Sequence, residues 1–249
     1  MAELYHEKED LSMAIRTYLA MTATEFAKAN PLPPYTAWMA CHFSPYGSGL
    51  SNLPSVLPPD SLLILNDRIP MRGHDPQRIA EQLKTTIAAN HCCGLLLDFQ
   101  RTDCKEAAVL AQHLIFTLSC PVCVSDLYAA NLDCPVFLSP CPHHLHLDTH
   151  IAPWKKRVIW LDLAHDVETI TVSCHGSTII PSPPGVLPEG GHADTELHCH
   201  YSIETRSDSV QFTFWRTKED LQALAAEAEA SGTEGLVGLY CELGYNGSL

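Results

Sequence analysis

The chain has 249 residues, enough for one α/β barrel or two smaller domains. Apolar residues make up 46% of it, as in a packed globular domain. Its formal charge of −14, from 15 basic and 29 acidic residues, argues against nucleic acid and anionic membrane as partners, because both are held by basic patches.

The N-terminal stretch MAELYHEKEDL is charged and lacks the apolar segment of a secretory signal. No apolar run approaches the ~20 residues of a membrane span. A cytoplasmic location is therefore expected. Residues 9–29 predict a helix, since they are good helix formers with no internal Gly or Pro. Asn30, Pro31, Pro33 and Pro34 would end it. TAWMACHF (36–43) predicts a strand, and the Ser-, Gly- and Pro-rich residues 44–60 a loop. SLLILND (61–67) is a second strand, closing on Asp67. Asp75 and Pro76 open a helix running to about residue 89, with Pro suited to the first turn. GLLLDF (94–99) is a strand, 105–118 a helix, PVCVSDL (121–127) a strand and PVFLSP (135–140) another.

The strands between 61 and 127 are continuously apolar and separated by helices, the pattern of parallel strands covered on both faces. Asp67, Asp98 and Asp126 all fall at strand C-terminal ends, where a (β/α)8 barrel carries its chemistry. In the second half, KRVIWLDLAHD (156–166) predicts one more core strand. Residues 168–181 and 197–216 alternate apolar and polar side chains, as antiparallel hairpins with one wet face do. Residues 181–194 read as a long loop. KEDLQALAAEAEAS (218–231) is an amphipathic helix, and GLVGLYCELG (235–244) a last buried strand. The expected architecture is an α/β protein: an irregular (β/α)8 TIM-type barrel over 36–249, with a small antiparallel insertion at about 166–216. Residues 1–35 would form an N-terminal helical extension. An open doubly wound sheet competes, but no Gly-rich phosphate loop follows the first strand.

Three segments, in order, resemble glycoside hydrolase family 18, the chitinase-like barrels. RIAEQLKTTIAANHCCGLLLDFQR (78–101) is similar to the helix and fourth strand that carry the family's DxxDxDxE motif. HIAPWKKRVIWLDLA (150–164) is similar to the approach to the seventh strand, and residues 212–246 to the closing strand–helix–strand unit. The resemblance implies retaining cleavage of β-linked N-acetylhexosamine polymers. In that chemistry the substrate's own acetamide is the nucleophile, so one Glu acts as general acid and an Asp two residues earlier orients the acetamide. On the motif this chain places Cys93, Leu96, Asp98 and Gln100. Asp98 is kept, while Gln100 stands at the acid's position with a carboxamide that does not titrate. Cys241 falls where the family has its floor Trp, and Leu138 and Ser139 where it has Tyr-Asp.

The candidate catalytic residues are Asp98 and Gln100, with Glu242 and Asp126 as carboxylates able to serve as a relocated acid. Asp67 and Asp162 would share the mouth with them, and Trp38 and Tyr128 would offer flat faces for a sugar. Tyr46 and Trp160 are further aromatics of that kind, each weighed against a core role. The histidines at 143, 144, 146 and 150, and the pair His198 and His200, have no recognised metal-ligand spacing, so they are read as packed or solvated side chains. The eleven cysteines read as reduced, mostly buried thiols. Cys120 and Cys123 of CPVC start a strand and so point to opposite faces. No cofactor and no metal are expected. The expected partner is a glycan or other small molecule, and the sequence leaves the oligomeric state open. Three functions follow. The leading one is a family 18-like protein without the standard acid, binding an N-acetylhexosamine glycan or peptidoglycan fragment. The second is a glycosidase-type hydrolase using Glu242 or Asp126, and the third a non-catalytic interaction barrel.

Overall fold

The computed structural model describes residues 15–102, 104–182 and 190–243. Its first element is a strand, β1 (Arg16–Met21), followed by a short helix, α1 (Ala23–Lys28). This corrects the expectation of one helix over 9–29 and, with it, of a helical extension over 1–35. Residues 9–14 lie outside the described residues. RTYLAM turns Tyr18 and Ala20 to one side, a period of two that a composition count does not register. Thr22 then opens α1 with a capping box: its hydroxyl accepts from the Glu25 N–H, and Glu25 accepts from the Thr22 N–H.

β2 (Thr36–Phe43) pairs parallel with β1, and β3 (Leu50–Ser51) adds antiparallel to β2. β4 (Leu62–Asn66), α2 (Pro76–Asn90), β5 (Gly94–Asp98), α3 (Lys105–Thr117) and β6 (Val122–Ser125) alternate as expected. Asp75 caps α2 by accepting from the Gln77 N–H, with Pro76 in the first turn. Then come α4 (Asp126–Ala129), β7 (Val136–Leu138), α5 (Leu147–Ile151) and β8 (Ile159–Leu163). Strands β9 (Val167–Ser173), β10 (Gly176–Ser182), β11 (His192–Asp194), β12 (Cys199–Thr205) and β13 (Ser209–Trp215) make a separate sheet. α6 (Lys218–Ala230), β14 (Gly235–Leu239) and α7 (Tyr240–Leu243) finish the described chain.

Strands β1, β2, β4, β5, β6, β7, β8 and β14 pair parallel in that order, and β14 returns to β1. The sheet therefore closes into an eight-stranded barrel with helices in its crossovers, the irregular (β/α)8 architecture expected. Apolar side chains on its outer face pack against the helices, with Leu63, Leu65, Leu95 and Leu97 from the barrel meeting Ile79, Leu83, Leu110 and Leu114. Inside, Tyr18, Ala20, Ile64, Leu96, Phe137 and Val237 fill the lumen. Cys123 is in that inner set while Cys120 packs on the outer layer, the opposite orientations expected for the CPVC pair. No helix among the described residues is long and apolar enough to cross a membrane.

The second sheet runs β10-β9-β13-β12-β11, all antiparallel, and is the small antiparallel insertion expected in the second half. Histidine–carboxylate pairs fasten it. Glu168 of β9 accepts from the His143 backbone N–H at 3.0 Å and meets His144 Nδ1 at 2.9 Å. His200 meets Asp220 of α6 at 2.8 Å, and His198 meets Glu227 at 2.6 Å. Buried Arg216 donates to the Cys141 and His198 carbonyls. Burial pushes the Glu168 carboxyl up, but the His143 hydrogen bonds and the neighbouring histidines outweigh it and hold the group below its usual range.

Candidate functional site

A cavity of about 840 Å³ opens at the C-terminal ends of the barrel strands. That is the end where such barrels carry their sites. The alternation of each strand decides which side chains reach it. On β5, Leu96 faces the lumen, so Asp98 and, just beyond, Gln100 face it too. On β8 the same parity from Trp160 brings in Asp162. On β4, Ile64 is inward, so Asn66 points into the cavity, and Asp67, one step out of phase, also reaches its wall.

That parity gives Asp67 a different task. Its buried carboxylate accepts the backbone N–H groups of Gln100 at 3.1 Å and Arg101 at 2.9 Å. It therefore fixes the turn after β5, while Ser125 holds the same turn by donating to the Phe99 carbonyl at 2.8 Å. Gln100 Nε2 then donates to Asp98 Oδ1 at 3.0 Å. Burial raises the Asp98 carboxyl, the Gln100 bond partly offsets this, and the Asp67 charge adds to the rise. Asp162 is pushed much further up, first by burial and then by the charges of Asp98, Glu242 and Asp166. The floor thus holds two carboxyl groups that resist ionising together, against apolar walls from Ile64, Leu96, Phe137 and Val237.

A bulge in β2 shapes the opposite wall. Trp38 is opposite Leu63 but Cys41 is opposite Leu65, so one extra residue is inserted between them. Unbroken alternation from Met39 would turn His42 outward, whereas the bulge brings it to the cavity. Asn66 stabilises the distortion by donating its amide to the Met39 and Cys41 carbonyls at 2.8 and 3.0 Å. His42 Nε2 in turn meets the Asn52 amide at 3.1 Å. His42, Asn52 and Asn66 were not among the sequence candidates. Asn66 was within reach, because counting by two from Ile64 selects it over Asp67. The bulge that delivers His42 has no local sequence mark.

The structure thus gathers Asp98, Gln100, Asp162 and Asp67 and places the other sequence candidates elsewhere. Trp38 faces the helix layer, packed edge-on to Phe26 at 5.3 Å and donating its indole N–H to the Asn52 carbonyl. Tyr128 packs edge-on to Phe99 and donates to the Arg101 carbonyl, so it braces the turn from behind. Asp126 follows the last inward residue of β6 and accepts from the Leu127 N–H and Ser139 hydroxyl. Glu242 accepts from the His165 N–H at 2.9 Å. None of these four lines the cavity. Tyr46 is 98% exposed, and Trp160, half-buried beside Tyr18, lines a second pocket at the N-terminal ends of the strands. Phe137 is the one Phe, Tyr or Trp lining the cavity among the described residues, so a ligand here would be held chiefly by hydrogen bonds.

No family model and no curated protein matches the sequence. Solved structures do match its fold. A glycoside hydrolase family 18 N-acetylglucosaminidase from Paenibacillus barengoltzii superposes with a TM-score of 0.58 at 11% identity, covering 90% of this chain and 94% of that one. The chitinase-like agglutinin of Robinia pseudoacacia gives 0.58 at 12%, covering 92% and 96%. A family 18 chitinase from Cycas revoluta gives 0.55 at 9%, covering 90% and 94%. It is a double mutant in complex with (GlcNAc)4, and one of its substitutions is Glu to Gln. The closed barrel and these superpositions agree: the chain has the fold of the chitinase-like glycoside hydrolases of family 18.

Proposed function

We propose that this protein binds an N-acetylhexosamine-containing glycan or peptidoglycan fragment at the barrel mouth and does not cleave it by the family's usual acid. The observation that carries the reading is the Gln100–Asp98 hydrogen bond on the inward face of β5. It keeps the spacing of an acid and its partner while removing the transferable proton, and general acid catalysis contributes typically ~10²–10⁴-fold. Asp98 accepts an acetamide N–H. The Gln100 amide and the His42–Asn66 wall supply further hydrogen bonds, and Phe137 and Leu239 give the apolar side of a sugar its contact. The Robinia agglutinin and the oligosaccharide-bound Cycas mutant lend support, since both are built on the same fold. A cytoplasmic setting belongs to the reading and agrees with eleven cysteines that are all unpaired.

Calorimetric titration with GlcNAc oligomers and muropeptides tests it, alongside Asp98→Asn and Gln100→Glu. The wild type is expected to bind without turnover. Asp98→Asn weakens binding, and Gln100→Glu gains hydrolysis of a chromogenic N-acetylglucosaminide. If no variant binds any of these ligands, the glycan reading is wrong and an interaction barrel becomes the better account.

A second reading, an active hydrolase with a relocated acid, is favoured by Asp162. It lines the cavity, and its surroundings keep it protonated well above the usual carboxylate range. It fits that part better than Glu242 or Asp126, whose carboxylates are engaged outside the cavity. Wild-type turnover abolished by Asp162→Asn would replace the binding reading with this one.

A further inference from the structure

The five-stranded sheet ends on one side at β10. One edge of β10 pairs with β9 in an unbroken seven-residue register, and among the described residues no strand pairs with the other. Sheet edges in natural proteins are usually guarded by charges, proline, bulges or short length. This edge carries no charge and no bulge over its seven residues, and its one guard is Pro181, next to its end. Residues 174–182 contain no Asp, Glu, Lys or Arg, in a chain of formal charge −14. Ile179 and Ile180 point to opposite faces and are 52% and 56% exposed. The strand registers place Ile203, Phe212, Ile170 and Ile179 in one row across four strands. None of them belongs to either hydrophobic core.

We propose that two copies of this chain pair β10 against β10, antiparallel about a two-fold axis at Ile179, to form one continuous ten-stranded sheet. Three observations select a second copy as the occupant. First, the strand is self-complementary. Ile179 is its central residue, so the axis sets Gly176 opposite residue 182 and Ser177 opposite Pro181, the one position that brings no N–H to the ladder. Ile179 meets its own copy on one face, and Ile180 meets Thr178 on the other. Second, two strongly acidic molecules can approach only through a neutral surface, and this edge is neutral. Third, the axis joins the apolar row to its copy end to end at Ile179. A seven-residue ladder is ~24 Å long. It buries less than the roughly 1,200–2,000 Å² of a stable specific interface. The dimer is therefore weak, isologous and concentration-dependent.

Sedimentation velocity on the full chain, from low micromolar to the solubility limit, tests this. The wild type is expected to shift from monomer towards dimer as concentration rises, and at lower concentration when salt screens the mutual repulsion. Ile179→Lys sets like charges against each other at the axis. It is expected to stay monomeric at every concentration, with an unchanged circular dichroism spectrum, and Ile180→Lys to behave alike. Ile203→Lys lies on the same face but three strands away and is expected to dimerise as the wild type does. A wild type that stays monomeric up to its solubility limit overturns the proposal. So does a dimer that Ile203→Lys breaks and Ile179→Lys does not, since that pattern belongs to face-to-face stacking.

Discussion

Replacing Asp67 with alanine should loosen the turn that carries Gln100. Asp67 is 4% exposed, and its side chain accepts two backbone N–H groups, from Gln100 at 3.1 Å and Arg101 at 2.9 Å. Hydrogen bonds to a charged group contribute about 1.5–3 kcal/mol each, so the pair together gives about 3–6 kcal/mol. Both amides sit at the rim of an open cavity, where water can partly replace the lost acceptor. The lower end, about 3 kcal/mol, is therefore expected. Asp67→Asn keeps one acceptor oxygen and should lose about half as much. Urea denaturation measures both, with the midpoint falling at unchanged slope. Binding of GlcNAc oligomers should weaken in parallel, because the Gln100 amide is no longer held towards Asp98. A loss under about 1 kcal/mol for Asp67→Ala, at unchanged slope, would refute the idea that this carboxylate organises the site.

Asp162→Asn should stabilise the protein at neutral pH. The folded-state pKa of Asp162 is raised, so the native state binds its proton more tightly than the unfolded chain does. Stability contributed by that group is fully present below the unfolded value near 3.8 and is lost as pH rises towards the folded value. The melting-temperature gain of Asp162→Asn should therefore be largest at neutral and alkaline pH and vanish in acid. A gain that does not change with pH would contradict this. Gly235→Ala should be poorly tolerated, since a Cβ there would lie 2.7–2.8 Å from three atoms of the Trp160 ring inside the barrel. Overpacking of this kind costs about 1–3 kcal/mol. Combining it with Trp160→Leu should cost less than the two single changes added together, as denaturation of all three variants would show.

Most of the barrel was legible because its signals are local. Runs such as LLILN and GLLLD are apolar without alternation, as strands covered on both faces must be, and the helices between them carry Asp75–Pro76 or an amphipathic stripe. The antiparallel sheet was legible from the opposite sign, the alternation in HYSIET and VQFTFW. The first strand was not. RTYLAM is short and made largely of residues that also suit a helix, and pairing with β2 and β14 decides its conformation. Tertiary contact overrides propensity there, and a window over the sequence cannot contain both partners.

The site divides along the same line. Asp98 and Gln100 were readable because they extend an inward row from Leu96, and Asp162 because it does so from Trp160. Asp126 and Asp67 were read by proximity to a strand end, and each is one residue out of phase with its lumen-facing row. Parity is therefore the stricter test at a barrel mouth, because one residue's slip takes Asp126 out of the cavity and gives Asp67, still at the cavity wall, to the backbone of a turn. The bulge in β2 shows where parity itself fails. An inserted residue resets the count, and the groups that make this tolerable, the Asn66 amide and the two carbonyls it binds, come from different strands. His42 thus reaches the cavity by a long-range compensation. The wall facing Asp98 and Gln100 is consequently set by pairing between β2 and β4, which no reading of either strand alone contains.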